Sequence, residues 1–259
     1  MHNLIHPTAI IDPGANIADN AIIGSNCIIG PKVTIGAGVR IGANSIIDCN
    51  TTIGEGCNVF PHAVLGTEPQ DLKFRGEESF LVIGTNTTIR EFVTANRGTE
   101  GGEGVTRVGE GCLLMAYSHV AHDCQLDNNV ILANAVNLGG HIHIAEHAII
   151  GGLTAIHQFV SIGEHAFIGG CSAVSMDVPP YVRAVGNRAR IFGVNSVGLE
   201  RKGFPKETIS QIKKAYRYLV SSKMNTAQAL EAIEKNIPPS EEIQKILTFI
   251  RSSSRGICK

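Results

Sequence analysis

Aliphatic residues recur every six positions over much of this chain, at 5, 11, 17, 23, 29, 35, 41, 47, 53, 59 and 65 without a slip. The first nine positions lead to two more in that run, and a second unbroken run lies at 108, 114, 120, 126, 132, 138, 144, 150, 156, 162, 168 and 174, with Ile83 and Ile89 between.

 Those nine are all Ile, and Val59 and Leu65 follow them. Four residues after an aliphatic there is nearly always a small or β-branched residue, as in Ala9, Ala15, Ala21, Cys27, Val33, Val39, Ser45 and Thr51. A period of six matches neither the 3.6 of a helix nor the 2.0 of a half-buried strand. It suits a coil with three flat faces, in which each hexad supplies one short strand and one turn and points its aliphatic inward. The predicted fold is an all-β left-handed parallel β-helix of hexapeptide repeats. Three hexads make an 18-residue coil, and about eight coils at the ~4.8 Å spacing of neighbouring strands give a prism about 40 Å long.

Two segments break the register and are expected to loop out, TEPQDLKFRGEESF at 67–80 and RGTEGGEGVTR at 97–107. Insertions in repeat arrays lie on the outside, where they can carry function. After Val174 the sequence MDVPPYV is expected to end the coil, because Pro179 and Pro180 cannot donate to a ladder. Downstream, 206–220, 225–236 and 239–253 show helical spacing of apolar residues, with Thr226 and Ser240 as expected N-caps. The chain thus divides into a β-helix over 1–186 and a C-terminal α-helical domain over 187–259, which would cover the exposed edge of the last coil.

Composition supports a repeat, with 29 Gly, no Trp and 5% aromatic residues. The formal charge of −1 conceals a split. Residues 1–180 carry 7 Lys+Arg against 17 Asp+Glu, whereas 181–259 carry 15 against 6, so the tail suits an anionic partner. Seven cysteines without C-x-x-C spacing give neither a disulfide framework nor a zinc ribbon, and Cys27, Cys57, Cys112 and Cys124 fall in the small-residue slot as buried thiols. The N-terminus lacks the pattern of a secretion signal, and no stretch approaches the ~18 apolar residues of a membrane span, so the expected location is the cytoplasm.

Seven of the ten histidines lie between 119 and 165. The 18-residue period sorts them into columns: His122, Gly140 and Gln158 stack on successive coils, and Asp123, His141 and Phe159 form the next column. His157 lies beside Gln158, and His119 is one turn from His122. His143, His147 and His165 read as surface residues. An imidazole beside a bare glycine suits acyl transfer, since the ring can take a proton from a hydroxyl while the Gly140 N–H approaches a developing oxyanion. Asp123 can fix the tautomer of His122, a contact that requires a turn between these adjacent residues. There is no G-x-S-x-G elbow and no cysteine in the setting of a nucleophile, which favours direct attack by a substrate hydroxyl over a covalent acyl-enzyme. A zinc-dependent carbonic anhydrase of the same fold is a rival reading; it needs three histidines shared across a subunit boundary, a cluster that His119, His122 and His141 could mimic. A β-helix without catalysis would explain the hexads but not the histidine columns.

The segments QDLK (70–73), HVAHDC (119–124), GGHIHIAEHAIIGG (139–152), AIHQF (155–159), IGGCSAVSMDVPPYV (168–182) and FGVNSVGLERKGF (192–204) together resemble the bacterial acyl-[acyl-carrier-protein]:UDP-N-acetylglucosamine O-acyltransferases, which open lipid A synthesis. The similarity covers essentially the whole chain. It implies a homotrimer with sites in the clefts between prisms, an acyl carrier protein bearing a 3-hydroxyacyl group as donor, UDP-N-acetylglucosamine as acceptor, and neither a cofactor, a metal nor a nucleic-acid or integral membrane partner. It also implies His122 as general base, Asp123 as its partner and the Gly140 amide as oxyanion donor. Gln70, Asp71 and Lys73, with His119, His141, His157 and Gln158, would line the sugar-nucleotide and acyl sites. Asn195 and Arg201 would reach the nucleotide, and Gly170 would sit at the far end of the acyl groove. Three positions depart from the family pattern: Val197 stands in place of Glu, Phe74 in place of Tyr and Asn96 in place of His. A related acyltransferase with an amine acceptor, whether a 3-amino sugar or the later N-acyltransferase step, would use the same base.

Overall fold

Each hexad folds into one short strand and one tight turn, and most strands are two residues long, as in Ile28–Ile29, Thr34–Ile35 and Arg40–Ile41. A computed structural model of the chain describes residues 4–221 and 224–259. The strands stack into sheets of nine, eight and ten members, here called faces I, II and III. Ile10 pairs with Ile28 and Ile28 with Ile46, so residues eighteen apart are vertical neighbours, as the period predicts. The aliphatic of each hexad points inward, and Ile23, Ile29, Ile35, Leu132, Ile144 and Ile162 are buried in one continuous core. At the N-terminal end Ile5, Ile11 and Ile17 are only partly buried, because that end of the stack is open.

The small-residue slot has a polar task as well as a steric one. Cys27 donates to the Gly42 carbonyl at 3.1 Å, Ser45 to Phe60 at 3.1 Å, Cys112 to Asp127 at 3.2 Å, Cys124 to Gly139 at 3.1 Å and Thr154 to Gly169 at 3.2 Å. In each case the side chain satisfies a carbonyl of the neighbouring coil, where the strand ladder has ended. Burial pushes the thiols up, Cys112 to about 11 and Cys124 to about 12, so these cysteines are protonated hydrogen-bond donors.

At the corners the chain turns through a residue of positive φ. Asp123, His141 and Phe159 occupy the corner between faces I and II. Asn129, His147 and His165 lie between faces II and III, and Tyr117, Ala135, Leu153 and Cys171 between faces III and I. Turn amides climb each corner by hydrogen bonds such as His141 N to the His122 carbonyl, 3.0 Å, and Phe159 N to the Gly140 carbonyl, 3.1 Å. Both predicted loops leave from the first of these corners, one between strands Val64–Thr67 and Phe80–Ile83 and the other between Thr94–Asn96 and Val105–Val108. They sit on the two coils that precede the His122 turn.

The ladder runs further than its prolines suggest. Val178 bridges Ile162, and Val182–Val185 pairs in parallel with Phe167–Ile168 before an antiparallel return through Arg190–Val194. Pro180 falls in a turn, where its missing N–H interrupts no ladder bond. Helices α1 (Ser196–Arg201), α2 (Lys206–Tyr216), α3 (Thr226–Asn236) and α4 (Glu241–Ser252) follow, and α2 widens into a π-helical turn over Arg217–Ser221. Ser240 caps α4 as expected, whereas α3 is capped by Asn225, one residue before Thr226, in a reciprocal box with Gln228. Ile243, Ile246, Leu247 and Ile250 form the buried stripe of α4. The tail then returns to the last coil, where Asp177 accepts from Ser253 Oγ at 2.6 Å and bridges Ile257. Among the described residues no helix is long and apolar enough to cross a membrane.

Candidate active site

The turn at 121–124 bends the chain so that two successive side chains meet. Asp123 adopts φ 58°, and its Oδ2 lies 2.8 Å from His122 Nδ1. This is the kink that the pairing of adjacent residues requires. With Nδ1 donating to the carboxylate, the neutral ring carries its free lone pair on Nε2. Gly140 lies one coil on, directly against the ring: a Cβ there would stand 2.5 Å from His122 Cε1 and 2.7 Å from Nε2. Among the described residues the Gly140 amide donates no hydrogen bond within the chain, so it is free for a ligand.

His141 completes the cluster. Its ring meets His122 edge-on at 5.0 Å between centroids, stacks on Phe159 at 4.5 Å, and has Nδ1 3.8 Å from Asp123 Oδ2. Asp123 is buried, which on its own would raise its carboxyl, but hydrogen bonds from His122 and Thr99 outweigh burial and hold it below its usual value. Burial lowers His141, against an opposing pull from Asp123. His119 is lowered by burial and then by His122 nearby. From the first loop, Asp71 and Lys73 both reach His141 electrostatically, and Asp71 Oδ1 accepts from Lys73 N at 3.0 Å.

The donor atoms that converge within 4.8 Å are those of His122, Asp123 and His141. Among the described residues His119 is not in that trio, and its Nδ1 faces Thr94 Oγ1 at 2.7 Å. His157 is exposed two coils beyond the His122 turn, its Nδ1 donating to the Gln158 carbonyl at 2.9 Å, with an Arg255 guanidinium nitrogen 3.3 Å away. A cavity of about 320 Å³ beside it is lined by His157, Ser175, Asn187 and Arg188. Gln70 is exposed in the first loop.

Three expected site residues lie elsewhere on the same chain. Asn195 caps α1, accepting from Gly198 N at 3.2 Å and donating to the His165 carbonyl at 3.0 Å, which places it at the corner between faces II and III. Arg201 ends the same helix. Gly170 belongs to the corner between faces III and I, where a Cβ would stand 3.1 Å from the Gly152 carbonyl. The His122 corner is convex, and a larger cavity of about 540 Å³, lined by His143, Glu164, Asp177 and Lys245 among others, lies between face II and α4.

The residues absent from the sequence reading are threonines. Thr99 donates from its backbone to Asp123 Oδ1 at 3.0 Å and from its hydroxyl to Oδ2 at 2.7 Å, and Thr106 Oγ1 accepts from Asp123 N at 2.8 Å. Thr106 had a signal, a polar residue in a slot reserved for small buried ones. Thr99 had none, because the loop has no repeat register. Two of the positions that depart from the family pattern make contacts between the loops: Asn96 Nδ2 donates to the Glu68 carbonyl at 2.8 Å, and Phe74 lies under the Arg97 guanidinium at 5.9 Å.

The model of the second domain of the UDP-N-acetylglucosamine O-acyltransferases matches residues 177–258, and that of the bacterial transferase hexapeptide repeats matches 4–37 and 106–140. The chain is 47% identical to an acyl-[acyl-carrier-protein]–UDP-N-acetylglucosamine O-acyltransferase of Anaeromyxobacter sp. (strain Fw109-5), covering 98% of this chain and 99% of that one. It is likewise 47% identical to the enzyme so named in Thermodesulfovibrio yellowstonii, over 99% and 100% of the two chains. Among solved structures, LpxA from Acinetobacter baumannii superposes with a TM-score of 0.97 at 43% identity, covering 99% of this chain and 100% of that one.

Proposed function

The chain belongs to the acyl-[acyl-carrier-protein]–UDP-N-acetylglucosamine O-acyltransferases, and on that premise we propose how its residues transfer an acyl group from carrier protein to UDP-N-acetylglucosamine in lipid A synthesis. His122 is the general base. Its Nε2 takes the proton of the glucosamine 3-hydroxyl as that oxygen attacks the thioester carbonyl of a 3-hydroxyacyl carrier. The oxyanion of the tetrahedral intermediate accepts from the Gly140 amide. The thiolate of the carrier leaves and recovers the proton from the imidazolium, which Asp123 stabilises throughout. The observation that carries this reading is the 2.8 Å contact between His122 Nδ1 and Asp123 over the bare Gly140.

The active enzyme in this reading is a homotrimer. A convex corner cannot enclose a sugar nucleotide by itself, and Asn195, Arg201 and Gly170 stand at the other two corners of the prism. A neighbouring copy would bring its own Asn195 and Arg201 to the nucleotide and its Gly170 to the end of the acyl chain. Gln70, Asp71 and Lys73 of the first loop, with His119, His141, His157 and Gln158, would line the sugar and acyl pockets. The basic C-terminal segment suits an acidic acyl carrier protein, and the compartment we assign is the cytoplasm. The test is an assay of purified protein with UDP-N-acetylglucosamine and a panel of 3-hydroxyacyl carriers, beside His122→Ala. The variant should lose at least ~100-fold in turnover while its oligomeric state and thermal midpoint stay as in the parent. Retention of turnover by that variant would overturn the assignment of the base.

A further inference from the structure

We infer that Thr99, delivered by the second loop, is a positioning residue for the His122–Asp123 pair, holding the carboxylate in one plane and sharing its charge. The inference rests on His122 acting as the base. Asp123 Oδ1 accepts from Thr99 N at 3.0 Å, while Oδ2 accepts from both Thr99 Oγ1 at 2.7 Å and His122 Nδ1 at 2.8 Å. Two donors from one residue on the two oxygens of one carboxylate fix its rotation as well as its position. Thr99 is 4% and Asp123 6% exposed, so water does not compete for these bonds. The loop curls round its own threonine, since the amides of Gly102 and Gly104 both donate to the Thr99 carbonyl at 3.1 Å. Gly102 then roofs the carboxylate, and a Cβ at that position would stand 2.3 Å from the Asp123 carboxyl carbon.

The chemical consequence follows from the sharing of Oδ2. An unshared carboxylate oxygen would place its full charge on the His122 Nδ1 proton and favour the imidazolium, which cannot act as a base. With the Thr99 hydroxyl taking part of that charge, Asp123 still orients the ring while placing less charge on its Nδ1 proton. The other ionisable groups facing the pair are His141, with Nδ1 3.8 Å from Oδ2, and His119, whose charge is coupled to that of His122. Asp71 and Lys73 of the first loop act through His141.

The experiment measures kcat, KM and the pH profile of kcat/KM for Thr99→Ala, Thr99→Val and Thr99→Ser, with His122→Ala alongside. Removal of the hydroxyl is expected to lower kcat roughly 10-fold or more with KM within about twofold, and to move the acid limb of the profile to higher pH by about half a unit or more. Thr99→Ser should restore both. Thr99→Val keeps side-chain volume, so a loss through a cavity in Thr99→Ala is told apart from a loss of the hydrogen bond. An unmoved acid limb and parental kcat in the Ala and Val variants would overturn the inference, as would a Ser variant no better than Ala. If His122→Ala is inactive while the Thr99 variants are unaffected, only the role of Thr99 fails. If His122→Ala keeps its turnover, the base assignment fails first.

Discussion

Asp123, His141 and Phe159 are held at φ 58°, 58° and 64°, in a region that costs a residue bearing a Cβ roughly 1–2 kcal/mol. The earlier coils fill corner positions with residues suited to it, such as Asn26, Gly38, Asn44, Asn50 and Gly56. Later coils place rings there, and the rings of successive coils stack: His141 on Phe159 at 4.5 Å, His147 near His165 at 4.8 Å, Phe92 on Tyr117 at 4.9 Å. The same backbone conformation recurs at all three corners, and where rings occupy it their contacts offset part of its cost. His165 shows what such packing does to titration. Burial, then the adjacent His147, hold it at about 4, against 6.5 for an ordinary histidine. As pH falls the unfolded chain takes up this proton first, so the stability His165 lends is complete above about 6.5 and is lost toward 4. His165→Phe keeps a ring against Phe204 and Tyr181 without a proton to gain. Its thermal midpoint should fall less steeply than that of the parent between pH 6.5 and 4.5. Parallel slopes would show that this residue does not carry the acid sensitivity.

At the scale of elements, a coil touches only the coils before and after it, so the value of a core residue depends on whether both neighbours are present. Ile144 is fully buried in mid-stack, whereas Ile11 lies at the open end and is only partly covered. Ile144→Ala should cost roughly 2–5 kcal/mol and Ile11→Ala clearly less, read as the two shifts in thermal midpoint. Equal shifts would mean that the stack does not behave as a one-dimensional array. The same locality explains what could be read without coordinates. Strands, columns and the facing of His122 and Gly140 are all consequences of a period of six and could be counted off. The Asp123 contact could be stated only as a condition, because its direction depends on a turn with positive φ. The ladder beyond Pro180 and the cap at Asn225 turn on which residue of a short run sits in the bend, a detail below the resolution of a pattern. Thr99 was illegible, since its place follows from how a loop folds back and not from any register.

At the scale of the whole molecule, the three corners of the prism are chemically different, and the proposed trimer brings unlike corners of neighbouring copies together. In that reading, subunits carrying His122→Ala would lack a base, and those carrying Arg201→Ala would lack a nucleotide contact. Each parent trimer should be nearly inactive, and trimers reassembled from the mixture should regain turnover in clefts where an intact His122 faces an intact Arg201. Mixed assemblies no more active than their parents would place the whole site within one chain. The place of Asn195 at its corner was hidden from the sequence, because it lies past the hexads, where no column can be counted.

In the proposed trimer, the separation of Asp123 and Asn195 onto different corners would also set how many sites each assembly holds. A contact between unlike surfaces closes without remainder when rotation returns to the first copy. Three chains would then make three clefts, each chain lending a base to one and a nucleotide clamp to the next, with no half-site left over. One damaged copy would silence a predictable share of the ring, and an isolated copy would hold both halves of the machinery with no place where they meet.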